Sequence, residues 1–250
     1  FYPAIGGAEK QALELARALA GRGVKVTVLT ARPDGLPERE TLDGVFIERF
    51  SCAGQAAFNF RSFLWLLSHG AEYQAVHTRL ASASAAALAA RLTGRKVLVK
   101  IGGADEVSPL PAGFYGSLKL ALLRRAGAEL LVPNAEDAGK LKADPAFAGL
   151  GVHFLRNGVD TGRYTPPLYN EKINAKAALG LDNSQLFLCV GRLAPETRAR
   201  EFVEAWAEIF SEEAVPPKAR LLRGGGGAGE AALRRAVESL GLAGSVTLAG

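Results

Sequence analysis

The sequence of 250 residues has no methionine, two cysteines, three histidines and two tryptophans. Each scarcity removes a class of function. Cys52 and Cys189 stand far apart and in no redox or metal-ligand spacing, which fits a chain kept in the reducing cytoplasm. Cys189 falls within the apolar run 186–190 and reads as a buried thiol acting as a small hydrophobe. No Cys/His cluster suggests a metal, no Ser-His-Asp arrangement is visible, and no aromatic-basic platform for nucleic-acid bases appears. No apolar stretch reaches the roughly 18 residues that a membrane-crossing helix requires. The missing methionine, an opening on Phe1 that runs directly into a helix, and a close on a strand-like 245–249 lead to the expectation of a fragment. The lack of a signal peptide at residue 1 therefore says nothing about targeting.

What is present is ordinary globular material: 48% hydrophobic and 22% charged residues, with a formal net charge of +5. That basic excess is too mild and too dispersed to argue for nucleic acid, and it matches anionic small substrates or an anionic membrane surface better.

Periodicity supplies the fold class. Apolar residues Ala8, Ala12, Leu15, Ala16 and Leu19 recur at helical spacing, with Glu9, Lys10, Glu14 and Arg17 on the other face. Strands are expected at 24–30, 45–50, 75–78, 96–101 and 129–132, with helices at 61–69, 82–92, 115–126 and 136–143. The proline-containing stretch 157–183 breaks this rhythm. Strands at 186–190, 219–223 and 245–249 then alternate with helices at 200–210 and 230–240. Such alternation implies an α/β, doubly wound chain with parallel pairing. The expected division is a first Rossmann-like domain over 1–165, a linker over 166–185 and a second domain over 186–250, incomplete at three strands.

In open α/β sheets ligands bind beyond the carboxyl ends of the strands, so the loops there hold the candidates. Gly6-Gly7 precedes the first helix, where close backbone approach and unpaired N–H groups suit a phosphate, or serve as a bare turn. The loop 190–197 carries Arg192 directly after a strand, placed for a bidentate grip on a diphosphate or as a surface residue capping the next helix. The run 223–229 formally contains G-x-G-x-x-G at Gly224, Gly226 and Gly229, a weak match in so glycine-rich a segment. His77 ends a strand at the rim, as a catalyst or as a hydrogen-bonded structural group. Lys100 and Asp105 could serve an active site or neutralise each other. The aromatic and leucine pattern over 58–67 admits a membrane-facing amphipathic helix but reads first as a core face.

Taken in order, these pieces resemble the retaining glycosyltransferases of the "group 1" type, family 4. The resemblance rests on residues 3–11, 15–19 and 23–30, on Val76-His77, on 155–160 with 164–166, on 190–196, and on 240–250. It implies a GT-B fold, two Rossmann-like domains, and metal-independent, configuration-retaining transfer from a UDP-, GDP- or ADP-sugar to a sugar or lipid-linked acceptor, with no cofactor. It also implies a place in cell-envelope polysaccharide synthesis in the cytoplasm or at the inner membrane face, with room for a peripheral membrane contact. By the same resemblance Gly6 and Gly7 border the donor phosphate and transferred sugar, Arg192 holds the diphosphate, and Gly224 and Gly226 line the nucleotide pocket. His77 and Asp105 are the candidate catalytic residues.

Three departures accompany it. The family has Lys-Gly where this chain has Thr197-Arg198, so that Arg198 or Arg200 would have to supply the second cation. Gly225 replaces an acidic residue, and the paired-glutamate motif is expected beyond residue 250. Inactivity of these 250 residues by themselves follows as an expectation. Another GT-B chemistry, such as an epimerase or phosphorylase, and a non-catalytic nucleotide-sugar-binding role stay open.

Overall fold

The structure, a computed structural model, describes residues 6–181, 185–191, 193, 198–211 and 219–249; of these, the side chains of residues 104, 105, 210 and 211 are outside the description. The chain divides into two compact units, residues 1–160 and 161–250.

The first unit opens with α1 (Gly7–Ala20), followed by β1 (Thr27–Ala31), β2 (Arg39–Leu42), β3 (Val45–Phe50) and α2 (Gly54–His69). There follow β4 (Ala75–Arg79), α3 (Ala83–Thr93), β5 (Lys96–Lys100), the short α4 (Ala104–Val107), α5 (Phe114–Arg125), β6 (Glu129–Val132), α6 (Ala135–Ala143) and β7 (Gly151–Phe154). Two sheets result, ordered β1-β3-β2 and β4-β5-β6-β7. The expected parallel pairing holds for β1 with β3 and throughout β4 to β7. The antiparallel β2–β3 hairpin is a correction to it. Its turn is Asp43-Gly44, both at positive φ, the conformation for which Asp-Gly is favoured.

Period-two burial shows which way each sheet faces. Val97, Val99, Leu130, Val132 and Val152 are buried under α3, α5 and α6 in the main core. Ala83, Ala87 and Ala90 make α3 slim enough to lie close to that sheet and to α2. The alternate residues His77, Arg79, Leu98, Lys100, Glu129, Leu131 and His153 fall on the opposite face. On the first sheet, Ala16 of α1 packs on Val45 and Ile47.

The second unit holds α7 (Tyr169–Ala178), β8 (Gln185–Val190), α8 (Ala199–Ser211), β9 (Ala219–Gly224), α9 (Glu230–Ser239) and β10 (Val246–Ala249). Its parallel sheet has the order β10-β9-β8. Val203, Trp206, Leu221, Leu233, Val237 and Val246 form its core, and Trp206 Nε1 donates to Ser245 Oγ at 3.3 Å. Cys189, expected to be buried, is half-buried because β8 is an edge strand with few covering side chains.

Candidate functional site

In the first unit the candidates gather at the carboxyl edge of β4 and β5. Arg79 and Lys100 are register partners, and His77 lies on the same face two residues before Arg79. The imidazole keeps an exposed edge, yet its surroundings desolvate it; that burial, then Lys100, then Arg79 hold its pKa below the ordinary value. Burial and then Arg79 likewise lower the Lys100 ammonium, which donates to the Leu155 carbonyl at 3.1 Å. Immediately beyond β5, the Gly102 amide donates to Glu106 Oε2 at 2.5 Å. A cationic rim with a neutral-leaning imidazole can accept a proton or hold an anion. The side chain of Asp105, the second candidate catalyst, lies outside the described residues.

At the amino end of α1, Gly6 is extended at φ −168, a conformation open to any residue. The Glu9 carboxylate folds back against it, so an internal anion meets the helix terminus. A Cβ at Gly7 would meet nothing within 4 Å, so local packing does not require that glycine.

In the second unit the loops after β8 and β9 interlock. Gly191 N donates to Gly224 O, Leu193 N to Gly226 O, and Gly229 N to Leu193 O, each at 3.0 Å. Close backbone approach explains part of the glycine run: a Cβ at Gly225 would strike Gly191 O, and one at Gly227 would come within 2.6 Å of Leu193 O. Both have positive φ, +114 and +154. Gly224 and Gly226 differ, since a Cβ there would make only ordinary contacts. Arg192 and Thr197 lie outside the described residues. Arg198 is exposed at φ +48, and its carbonyl accepts from Phe202 N at the start of α8.

Two residues beyond the candidates also stand at these sites. Arg79 extends the His77 rim, and its signal was a charge two residues after a strand-end histidine. Arg223 is buried on β9, and its guanidinium donates to the carbonyls of Cys189 and Gly224 at 3.1 and 3.3 Å, beneath both glycine loops. Its signal was a charge at an inward-alternating position, in step with Ala219 and Leu221, of a strand-like run.

The Glycosyltransferase Family 4 model matches residues 5–163, more than half of the sequence. The chain belongs to that family. Among solved structures, the Anabaena HepE protein in complex with UDP-glucose is 19% identical with a TM-score of 0.65, over 99% of this chain and 66% of that one. A glycosyltransferase from Rickettsia africae is 17% identical with a TM-score of 0.68, over 97% and 64%. An α,α-trehalose-phosphate synthase (UDP-forming) from Burkholderia vietnamiensis is 12% identical with a TM-score of 0.57, over 100% and 69%. The expected GT-B fold is therefore the fold of this family 4 chain, with parallel α/β sheets in both units. The chain spans about two thirds of the length of these relatives. A comparison with curated proteins finds no match.

Proposed function

We propose that this family 4 chain takes part in sugar transfer from a nucleotide-sugar donor to an acceptor, with retention of configuration and without a metal. The observation that carries the reading is the interlocked pair of glycine loops at the carboxyl edge of the second sheet. Gly224 and Gly226 are free of packing demands there, while Gly225 and Gly227 fix the backbone around them. Such a loop leaves room for a nucleotide diphosphate beside backbone donors. Arg192, on the neighbouring loop after β8 by sequence, neutralises the charge that grows on the leaving diphosphate. UDP-, GDP- and ADP-sugars are the donor candidates, and a sugar or a lipid-linked sugar at the cytoplasmic membrane face is the acceptor class. With such an acceptor, the reading is one of cell-envelope polysaccharide synthesis. His77 and Asp105 act on the acceptor side.

The test is titration of the chain with UDP, GDP, ADP and their hexose conjugates by calorimetry, alongside Arg192→Ala. Binding of one nucleotide family, weakened about a hundredfold by the loss of a bidentate charged contact, is expected. Heat from none of the ligands, or equal affinity in the variant, would sink the donor assignment. The anomeric configuration of product formed by the entire protein, read by proton NMR, tests retention. Thr197, where the family has lysine, favours one second reading: nucleotide-sugar binding without turnover.

A further inference from the structure

The smaller sheet of the first unit has one covered face and one that is covered only in part. Val28, Val45 and Ile47 pack with Ala16 of α1. The alternate residues form rows on the other face. Thr41, Phe46 and Thr27 stand side by side across β2, β3 and β1, and Arg39, Glu48 and Leu29 make the next row. Helix α2 covers the carboxyl end of this face: Phe58 lies 6.1 Å from Phe50, and Leu29 joins the cluster of Phe63, Trp65 and Leu66. Phe46 is left 50% exposed in a strand whose other large apolar side chains, Ile47 and Phe50, are buried. A cavity of about 270 Å³ is lined there by Phe46 together with Thr27, Arg39, Thr41 and Glu48.

Polar groups ring the phenyl side chain, and their charges cancel in place. Arg39 Nε donates to both Glu48 carboxylate oxygens, at 2.9 and 3.3 Å. Glu40, the other acid at the cavity, is bonded to Arg49 at 2.6 Å, and Lys25 pairs with Glu72 at 2.6 Å. Thr27 Oγ1 shares a hydrogen bond of 2.6 Å with the Tyr73 hydroxyl. The Thr41 hydroxyl is exposed and bonds no other described residue. A charged ligand would have to break one of these pairs to be held. The occupant matched to this field is uncharged, with an apolar face for the phenyl ring and hydroxyls for the threonine, carboxylate and guanidinium groups. A pyranose has that anatomy, with C–H groups on one face and hydroxyls around its rim. The cavity falls just under the roughly 300 Å³ at which pockets for drug-sized ligands begin, which suits one sugar ring rather than a nucleotide sugar.

We infer that the Phe46 face of the β1-β3-β2 sheet binds a neutral glycan, with one pyranose resting on the phenyl ring. Thr27 and Phe46 stand at the amino ends of β1 and β3, whereas Arg79 and Lys100 end β4 and β5. The face is therefore a holding site apart from the candidate catalytic rim, suited to a saccharide chain. The sugar transfer proposed above supplies the setting. Binding here needs neither nucleotide nor turnover, so the two readings fail separately.

The experiment is titration of the chain with maltotriose, cellotriose and chitotriose, without nucleotide, by calorimetry and saturation-transfer NMR. Binding of at least one with a Kd of about 1 mM is expected, and added salt should leave it unchanged because the ligand carries no charge. Phe46→Thr should weaken it about tenfold, and Phe46→Tyr should retain it. Arg39→Gln, at a side chain 80% exposed, should weaken it about threefold. Circular dichroism should be unchanged in all three variants, since neither position lies in the core. Binding of none of the trisaccharides, or equal affinity in Phe46→Thr and the native chain, would overturn the inference. So would displacement of the trisaccharide by UDP, GDP or ADP, which would put it in the donor site. Tighter binding of glucose 6-phosphate, or of an extended peptide paired along β2, would assign the face to an anion or to a protein instead.

Discussion

Arg79 and Lys100 stand directly opposite one another on adjacent parallel strands, at the carboxyl edge of the first unit's larger sheet. Strands in a sheet are about 4.8 Å apart, so two cations are set side by side where opposition of like charges costs stability. Lys100 is steadied by the Leu155 carbonyl, a neutral partner. His77 shares the face, and it is the group that reports the local field.

Replacing Lys100 by glutamine should raise the His77 pKa toward its ordinary value of about 6.5, without restoring it fully, because desolvation is the larger cause of the shift. Proton–carbon NMR of the three histidines measures this directly. The other charged or titratable groups on that sheet face are Arg79, Lys96, Glu129 and His153, the last two joined at 3.2 Å. The sign for stability follows from linkage. With the folded pKa depressed, the unfolded chain takes up a proton first on acidification. The contribution is present above about pH 6.5 and lost as the pH falls through that value toward the lower folded one. Urea midpoints for the native chain should thus fall between about pH 7 and pH 5, more steeply than for His77→Gln. The exposed edge of the ring keeps the difference small.

The α/β class and nearly all the helices were legible because amphipathic spacing and β-branched runs report burial directly. Val97, Val99, Leu130 and Val132 turn inward as their alternation requires. Two strands were not legible. β2, Arg39-Glu-Thr-Leu42, is polar because it is an edge strand held by ion pairs such as Arg39–Glu48 at 2.9 Å, although Asp43-Gly44 was an available hairpin signal. β7 is four residues long with one buried side chain, too short to show a period. The α7 helix lies in the stretch read as a linker and has no buried residue, so its sequence carries no apolar stripe. For the site, a strand-end histidine was visible, but the facing of Arg79 against Lys100 depends on register between strands.

Arg49 and Glu40 give a second prediction. The Arg49 side chain is fully buried, bonded to Glu40 at 2.6 Å and to the Pro37 carbonyl at 3.3 Å, while Glu40 is about a third exposed. Removing only the carboxylate leaves a buried cation uncompensated. Glu40→Ala should cost about 2 kcal/mol, below the 3–5 kcal/mol of a fully enclosed pair. Arg49→Met with Glu40→Leu should be close to neutral by the same principle. Denaturant unfolding of the three chains separates the cases.

Arg223 gives a third. Its guanidinium ties the Cys189 carbonyl to the Gly224 carbonyl and lies within 3.7 Å of where a Gly191 Cβ would be. Arg223→Met keeps much of the volume and loses both bonds, at a cost of about 1–3 kcal/mol. Amide exchange at Gly191 and Gly225 should quicken more than at Val203 in the core, because the loops lose their common anchor. Equal protection in variant and native chain would show that the backbone ladder holds the loops by itself.

The glycine run separates fold from function most sharply. Gly225 at φ +114 lies against Gly191 O, and Gly227 at φ +154 lies against Leu193 O, so alanine at either meets both backbone strain and a fixed carbonyl. Strain of this kind costs on the order of 1–3 kcal/mol before any clash is counted, and the obstacle is backbone that cannot swing aside. Gly226 has no positive φ, and a Cβ there would approach nothing nearer than Glu230 Oε2 at 3.9 Å. Alanine at Gly226 should therefore leave the melting curve of the second unit within about 0.5 kcal/mol of native. Alanine at Gly225 or Gly227 should shift it by about 2 kcal/mol or more. If a diphosphate lies over this loop, Gly226→Ala should still weaken nucleotide binding, since the added methyl takes the space the loop leaves open. A Gly226→Ala chain that melts normally and binds UDP, GDP or ADP as tightly as the native one would remove this loop from the donor site while leaving the fold account intact.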